Sequence, residues 1–353
     1  MWKKIRNLIL KCLIALFPIY VIFGAYVYLD PFRVVHPSDP FFDMEDPMHV
    51  GWNKGFVSTE AFKNHHQTEH YDSYIFGSSL SIGYQAEEWS KYVGKSARIF
   101  HFDGSTESFT GIIKKIRYIN KCGETVKNAL IVADPTIFAR DDDKESHLFA
   151  QHPDITPQWD FIQFQWLFFK LFMNREFLTN YIDMRTNGLT PKMVAIGIFT
   201  KEIPDYDVKT NEEKYPFYEK ELAENEEQYY AKRDSFFGRN YSESIVIPPM
   251  FTEKNIENFK TLKGLFEKNS TNYKIIIHPM YKLNTLCEKD RNILYDIFGK
   301  ENLYDFSGAN EFSLDKHNYY DQNSHPRPGL CNKLMKIVYG QYSTDSINSL
   351  KSR

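Results

Sequence analysis

The chain has 353 residues and a net charge of −3, with 42% apolar and 25% charged residues. This length is enough for one large α/β domain or two small ones with a sizeable core. The charge balance, with no basic stripe, argues against nucleic acid as a partner. Aromatic residues reach 16%, a richness that suits contacts with carbohydrate or a surface close to a membrane.

The N-terminus has the pattern of a membrane anchor. Residues 1–11 form a basic flank, and residues 12–29 form an uncharged run of 18 residues. This is about the length that a helix needs to cross a bilayer. The basic flank predicts a cytoplasmic N-terminus and a periplasmic or extracellular main domain. The alternative is a cleaved signal peptide, which the lack of a small-residue cleavage site before Asp30 disfavours.

After this segment, an α/β rhythm follows a stretch without periodicity. Residues 30–70 are rich in Pro, Asp and His, and we interpret them as an extended linker. Strands alternate with helices over 71–342, which predicts a parallel sheet covered on both faces. Residues 141–250 interrupt the rhythm as an insertion, and 343–353 form a C-terminal tail. The predicted strands are 73–76, 97–102, 128–133, 273–277 and 302–305, and the predicted helices are 105–120 and 328–339.

The insertion contains two distinct segments. Residues 159–172 are aromatic around most of a helical circumference, which indicates a buried helix or, alternatively, an interfacial or partner-docking helix. Residues 201–235 are rich in Glu, Lys and Tyr and predict a solvated helix and loops.

Neither a disulfide framework nor a metal site emerges from the sequence. Three of the four cysteines lie outside the anchor, and their spacing implies no disulfide. His65, His66 and His70 have a spacing that suits a metal on a helix, but only Glu69 stands nearby as a carboxylate ligand. The acidic run 141–143 fits a solvated loop better than a calcium site. We therefore expect no metal and no cofactor.

Three segments are expected at the carboxyl ends of the strands, where open α/β sheets form their sites. Gly77-Ser78-Ser79 follows the first strand, Asp103-Gly104-Ser105 follows the second, and Asp321 and His325 lie in a late loop. A serine on a tight turn is a candidate nucleophile that a histidine could deprotonate and an aspartate could orient. The alternative for each segment is structural: a helix cap, a turn and a surface loop.

Together these segments resemble the SGNH/GDSL hydrolase superfamily. The Gly-Asp-Ser-Leu pattern of its first block is matched by Gly77-Ser78-Ser79-Leu80, which places the nucleophile at Ser79. Gly104 matches the glycine of the second block, and Asp321 and His325 match the last block. The resemblance implies a flavodoxin-like αβα sandwich with a parallel sheet, preceded here by one transmembrane helix.

The closer resemblance is to membrane-anchored members related to the D-alanyl transfer protein of teichoic acid synthesis and to alginate O-acetylation proteins. It implies acyl transfer or ester hydrolysis on a cell-surface glycan, beside a membrane-bound O-acyltransferase as partner. Ser79 would attack the acyl donor, His325 would take its proton, and Asp321 would orient His325. The amides of Ser79 and Gly104 would hold the oxyanion.

Two neighbours complete the predicted site. Ser105 follows Gly104 and is expected at the oxyanion or substrate side, or as a helix cap. Arg327 stands beside His325 and could meet an anionic substrate. His278, at the end of a strand, is interpreted as a structural histidine.

The chain also departs from the pattern of the superfamily. The last block has three residues between Asp321 and His325 instead of two, so Asn323 or another acid is an alternative orienting group. The Gly-x-Asn-Asp of the third block is missing, and Asp134-Pro135-Thr136 stands in its place. These departures favour a second hypothesis: a non-catalytic scaffold that docks a membrane-bound O-acyltransferase or a polymer-export complex.

Overall fold

The computed structural model describes residues 2–42, 47–140, 146–156, 161–201, 203–233, 237–321 and 323–340. The acidic run 141–143, the first two residues of the aromatic segment and the tail 343–353 lie outside the described residues.

A parallel sheet of five strands forms the centre of the fold, which confirms the predicted α/β class. The strand order is β2-β1-β3-β7-β9, and all neighbouring pairs are parallel. Two small sheets, β4-β5 and β6-β8, lie outside it. The strands are β1 Ser73–Gly77, β2 Ile99–His101, β3 Asn128–Ala133, β4 Asp205–Asp207, β5 Glu212–Lys214, β6 Ile245–Ile247, β7 Asn272–Ile277, β8 Asn284–Leu286 and β9 Leu303–Asp305.

Helices cover both faces of this sheet, and alternate strand residues therefore enter two separate cores. Tyr74 and Ile131 point to the core covered by the helices over 54–69, 109–121, 253–269 and 288–298. Ile75 and Leu130 point to the core covered by the helices over 86–93, 216–231 and 328–339. The helices are α1 Trp2–Leu29, α2 Lys54–Glu69, α3 Ala86–Val93, α4 Phe109–Lys121, α5 Phe161–Phe172, α6 Arg175–Asn187, α7 Pro191–Ala195, α8 Pro216–Ala231, α9 Glu253–Asn269, α10 Glu288–Phe298, α11 Glu311–Leu314 and α12 Pro328–Tyr339.

The interpretation of 30–70 as an extended linker is wrong for its second half. Residues 54–69 form α2, which packs Phe62 into the core of the sheet. Asn53 caps the helix by accepting a hydrogen bond from the Phe56 amide at 2.9 Å, and His70 ends it with a φ of 49°. The apolar periodicity is weak because polar side chains such as Ser58 are buried in the helix as well.

Two other predictions are wrong in part. The helix predicted over 105–120 begins at Phe109, because the Ser108 hydroxyl accepts a hydrogen bond from the Gly111 amide at 2.9 Å and caps it there. Within 201–235, which we expected to be solvated, Glu212 and Glu213 are buried. The closing helix 328–339 is confirmed as α12.

A third core lies apart from the sheet and joins the end of α1, the following loop, α5 and α6. The buried-helix interpretation of the aromatic segment holds for one face of α5, and the docking alternative stays a prediction. Phe164, Phe168 and Phe172 are buried in this core, whereas Ile162 and Trp166 are exposed.

The N-terminal helix α1 exposes a series of large apolar side chains, including Leu13, Ile14 and Phe17. A search of the described part of the chain finds no helix that combines the length and the apolarity needed to cross a membrane. The anchor over 12–29 stays a prediction.

Candidate active site

Ser79 lies directly beyond the carboxyl end of β1. The strand ends at Gly77, and Ser79 opens a single 3₁₀ turn, Ser79–Ser81, that Ser78 precedes as its cap. A side chain at position 77 would place its Cβ 2.7 Å from the Val132 carbonyl oxygen and 2.9 Å from the Ser81 Cβ. Only glycine therefore allows the chain to turn this close to β3 and to leave Ser79 partly exposed.

A tight loop near the C-terminus presents His325. The Tyr320 amide donates a hydrogen bond to the His325 carbonyl at 2.9 Å, which closes the loop. Inside it, the Asp321 carboxylate accepts a hydrogen bond from the Asn323 amide at 2.8 Å, and Ser324 adopts a φ of 69°. A left-handed residue other than glycine is uncommon. The left-handed conformation of Ser324 allows the loop to accommodate the additional residue between Asp321 and His325.

The two segments meet in a continuous chain of hydrogen bonds. The Ser79 Oγ lies 2.9 Å from Nε2 of His325, and Nδ1 of His325 lies 2.6 Å from the Asp321 carboxylate. A carboxylate only accepts hydrogen bonds, so Nδ1 carries the hydrogen and Nε2 is left to accept the Ser79 proton. This is the arrangement of a nucleophile, a base and an orienting acid.

Asp321 has the electrostatics that an orienting acid needs. Burial alone would raise its pKa, but the hydrogen bond and charge of His325 and two backbone amides lower the pKa below its ordinary value. The carboxylate is therefore ionised at neutral pH and can stabilise an imidazolium on His325. Asn323, the alternative orienting group, donates its backbone N–H to the Asp321 carboxylate.

Ser79 and His325 line a cleft with a volume of about 280 Å³. It lies where the loop before α2, the insertion and the C-terminal loop come together. Its lining consists of Trp52, Ser79, Ile82, Thr200, Tyr215, Tyr218, Tyr320, Asp321, His325 and Pro326.

We expected Gly104 and Ser105 at the oxyanion or substrate side of this cleft, but the structure places them elsewhere. The Gly104 amide donates a hydrogen bond to the Gly77 carbonyl at 3.1 Å, so it extends the sheet pairing instead of facing an oxyanion. Neither residue lines the cleft. A glycine is needed at 104 for another reason: a Cβ would lie 2.9 Å from the Glu107 carboxylate and 3.2 Å from the Lys115 ammonium.

The substitution Gly104→Ala is therefore expected to act on stability. The added methyl group meets the fully buried Glu107–Lys115 ion pair, and such overpacking costs about 1–3 kcal/mol. Chemical denaturation measures this loss, with Gly264→Ala as control: outside its own helix backbone, no atom lies within 4 Å of its Cβ position, and an alanine inside α9 should stabilise the protein by up to about 1 kcal/mol. An unfolding free energy equal to that of the wild type would contradict this packing argument.

Arg327 also departs from its predicted role. Its guanidinium donates to Glu219 at 3.0 and 3.1 Å and to Glu226 at 3.1 Å. Both glutamates belong to α8, and Arg327 does not line the cleft. Two carboxylates thus neutralise the guanidinium, which joins α8 to the loop of His325.

Two buried histidines near the site have structural surroundings. Nε2 of His101 lies 2.9 Å from the Ser81 hydroxyl, which in turn donates to the Ser78 carbonyl at 2.7 Å. Burial, with Lys54 and Lys115 nearby, lowers the pKa of His101 to about 3. Burial also lowers the pKa of His278 to about 3, and its ring lies 2.9 Å from the Tyr84 hydroxyl. Both rings are uncharged at neutral pH. His101 supports the turn at Ser79 through Ser81, and His278 contacts Tyr84 beside the sheet.

The three histidines considered for metal binding do not share one partner. His65 contacts Asp39 at 3.0 Å, whereas His66 and His70 lie 3.5 and 3.8 Å from the Glu124 carboxylate. Within the described ranges, one group has metal-ligand geometry, formed by Glu60, His152 and Asp154. The Lys63 ammonium already lies between its two carboxylates, 2.8 Å from Glu60 and 2.9 Å from Asp154.

Three aromatic residues of the cleft escaped the sequence prediction. Trp52 lies in the supposed linker, and Tyr215 and Tyr218 lie in the supposed solvated part of the insertion. Their local sequence carries no motif. The one available signal was the clustering of tyrosines at the start of α8.

The comparisons with known proteins give no assignment: no protein-family model, no curated protein and no solved structure matches this chain.

Proposed function

We propose that this protein is a membrane-anchored, extracytoplasmic serine acyltransferase or esterase that acts on O-acyl groups of a cell-surface glycan. The observation that carries the proposal is the hydrogen-bonded chain from Ser79 through His325 to Asp321 at the edge of an open cleft. Serine, histidine and an ionised aspartate in this order form an activated nucleophile.

The chemistry follows from the positions of the protons. The Ser79 Oγ attacks the acyl carbonyl carbon while its proton moves to Nε2 of His325. The imidazolium, stabilised by Asp321, then protonates the departing alkoxide and leaves the acyl group on Ser79. In the second step, a sugar hydroxyl or water attacks this ester, gives its proton to His325 and releases the Ser79 hydroxyl. The same residues thus serve transfer and hydrolysis.

The fold offers further support. Numbered among themselves, the five central strands have the order 2-1-3-4-5, which is that of flavodoxin-like folds with sites at the carboxyl ends of their strands. Ser79 lies at such an end. On this basis, and on the motif matches at Ser79, Asp321 and His325, we propose membership in the SGNH hydrolase superfamily.

The direct test is covalent trapping of the nucleophile. A fluorophosphonate probe should form a phosphonyl ester at Ser79 of the full-length protein, because it presents an electrophile to an activated serine. Peptide mass spectrometry identifies the modified residue, and the Ser79→Ala protein serves as control. Labelling at another serine, or equal labelling of wild type and variant, would contradict the proposal.

The proposed location rests on the uncharged run 12–29 and on the apolar side chains that α1 exposes there. We expect a C-terminal fusion to a reporter that works only outside the cytoplasm, such as alkaline phosphatase, to be active. The basic flank would hold the N-terminus inside. A fusion that works only in the cytoplasm should stay silent, and its activity would refute the outer location and the glycan substrate.

A non-catalytic docking protein remains the second candidate. One observation favours it: the Gly104 amide is committed to Gly77 and offers no second oxyanion donor. An oxyanion donor commonly contributes about 10²–10³ in rate. Under this alternative, a glycan-acylating strain would keep its surface esters when Ser79 is replaced by alanine.

A further inference from the structure

The lining of the cleft includes four aromatic side chains contributed by distant parts of the chain. Trp52 precedes α2, Tyr215 and Tyr218 lie at the start of α8, and Tyr320 lies in the loop that presents His325. They line the same cleft as Ser79. We refer to these four side chains as the aromatic wall.

The polar ends of this wall are bound outside the cleft lining. The Trp52 indole N–H donates to Glu213 at 3.2 Å, and the Tyr215 hydroxyl donates to the same carboxylate at 2.7 Å. The Tyr320 hydroxyl donates to Glu219 at 2.6 Å. These three side chains therefore contribute mainly aromatic carbon to the cleft.

The rings are also held in place by one another. Tyr218 stacks on Tyr320 with 5.1 Å between the ring centroids, and Tyr215 lies 6.2 Å from Tyr218. On the other side, Phe42 packs edge-on against Trp52 at 4.9 Å. Binding to such a preformed surface requires little ordering of side chains.

Charge and size restrict the ligand. Among the described residues that line the cleft, there is one carboxylate, Asp321, and no lysine or arginine. The nearby Arg327 is neutralised by Glu219 and Glu226. A volume of about 280 Å³ is at the lower limit of small-molecule sites, which begin at about 300 Å³. The cleft thus suits one uncharged ring and disfavours an anionic group.

We infer that the aromatic wall is a subsite for a single uncharged sugar ring of the substrate. The C–H groups of a sugar face meet the electron-rich faces of aromatic rings favourably. A ring held on this wall has a hydroxyl or an O-acyl group within the cleft that contains Ser79 and His325. This inference rests on the proposed function and adds a preference for neutral over acidic glycans.

Binding is tested separately from turnover with the full-length Ser79→Ala protein in detergent. The probes are neutral tetrasaccharides of glucose, galactose, mannose or N-acetylglucosamine, and a tetrasaccharide of galacturonate, measured by saturation-transfer NMR. At least one neutral probe should bind in the millimolar range, and the galacturonate probe should bind at least about tenfold more weakly, a difference of about 1.4 kcal/mol.

Variants locate the binding. Trp52→Leu keeps an apolar side chain but removes the ring, and it should weaken binding of the neutral probe about tenfold, as loss of a central aromatic contact does. Tyr215→Leu should weaken it as well, which provides a second variant if Trp52→Leu misfolds. Tyr92→Ala removes a tyrosine that stacks on Tyr339 away from the cleft and should leave binding unchanged.

Three outcomes overturn the subsite: no neutral probe binds at tens of millimolar, galacturonate binds equally well, or the folded Trp52→Leu and Tyr215→Leu proteins bind like their parent. Hydrolysis of p-nitrophenyl acetate, compared between wild type and Ser79→Ala, tests the proposed function independently. Ester turnover that depends on Ser79 without sugar binding removes the subsite alone. Sugar binding that depends on Trp52 without such turnover removes the catalytic role alone.

Discussion

Replacing Ser79 with alanine should reduce ester turnover by a factor of roughly 10⁴–10⁶, the scale seen when a member of a serine triad is removed. The substitution deletes the attacking oxygen and one hydrogen bond to His325. It leaves the turn intact, because the contacts that hold the turn come from Ser78 and Ser81. The measurements are initial rates with p-nitrophenyl acetate and, in cells, the ester content of the surface glycan at equal protein abundance.

The same experiment should show that the three residues act as a unit. His325→Ala and the Ser79→Ala/His325→Ala double variant should be about as inactive as Ser79→Ala, because each removes the same proton transfer. Asp321→Asn should also be severe, since the Asp321 carboxylate contacts Nδ1 of His325 directly and sets its tautomer. A mild Asp321→Asn effect would mean that another group orients His325.

The control for this series is Ser90→Ala on α3. The Ser90 hydroxyl donates to the Glu87 carbonyl on an exposed helix surface, so its loss should leave turnover unchanged. Wild-type glycan acylation in the Ser79→Ala strain would remove the catalytic claim and favour the docking hypothesis.

The sequence was informative where side-chain type and local position together define the structure. Strands such as β3 are continuous apolar runs because helices bury both of their faces. The Ser79, Asp321 and His325 segments could be placed at one end of the sheet because parallel strands bring their carboxyl ends together. Their contact distances also depend on the left-handed conformation of Ser324, which no motif indicates.

Long-range polar burial was beyond the reach of pattern analysis. Lys54, Glu212 and Glu213 are charged residues of the kind that usually lie on a solvated surface, but they are buried in the interior. Their burial depends on partners from distant segments, such as Asp103 beside Lys54. For the same reason, the sequence suggested Gly104 as an oxyanion donor, whereas its amide pairs with Gly77.

Removing the charge of Lys54 should strongly destabilise the fold. Its ammonium lies 2.9 Å from Glu213 and 3.5 Å from Asp103, and all three side chains are buried. Burial alone would lower the pKa of Lys54, but the two carboxylates raise it above its ordinary value. In Lys54→Met, two buried carboxylates would face each other without this cation. Breaking a buried ion pair in this way costs about 3–5 kcal/mol.

The free energy of unfolding from urea denaturation measures this effect, and a second substitution tests its cause. Lys54→Met leaves two buried carboxylates without their cation. Adding Asp103→Asn removes one of these negative charges and should recover part of the lost free energy of unfolding, because the two substitutions are coupled. Lys91→Met, which breaks the exposed Lys91–Glu88 pair at 2.6 Å, should cause no resolvable change. Since Glu213 also holds Trp52 and Tyr215, folded Lys54→Met protein should bind neutral sugars more weakly. Unchanged stability would show that the interior hydrates these carboxylates, and the aromatic wall would then need another anchor.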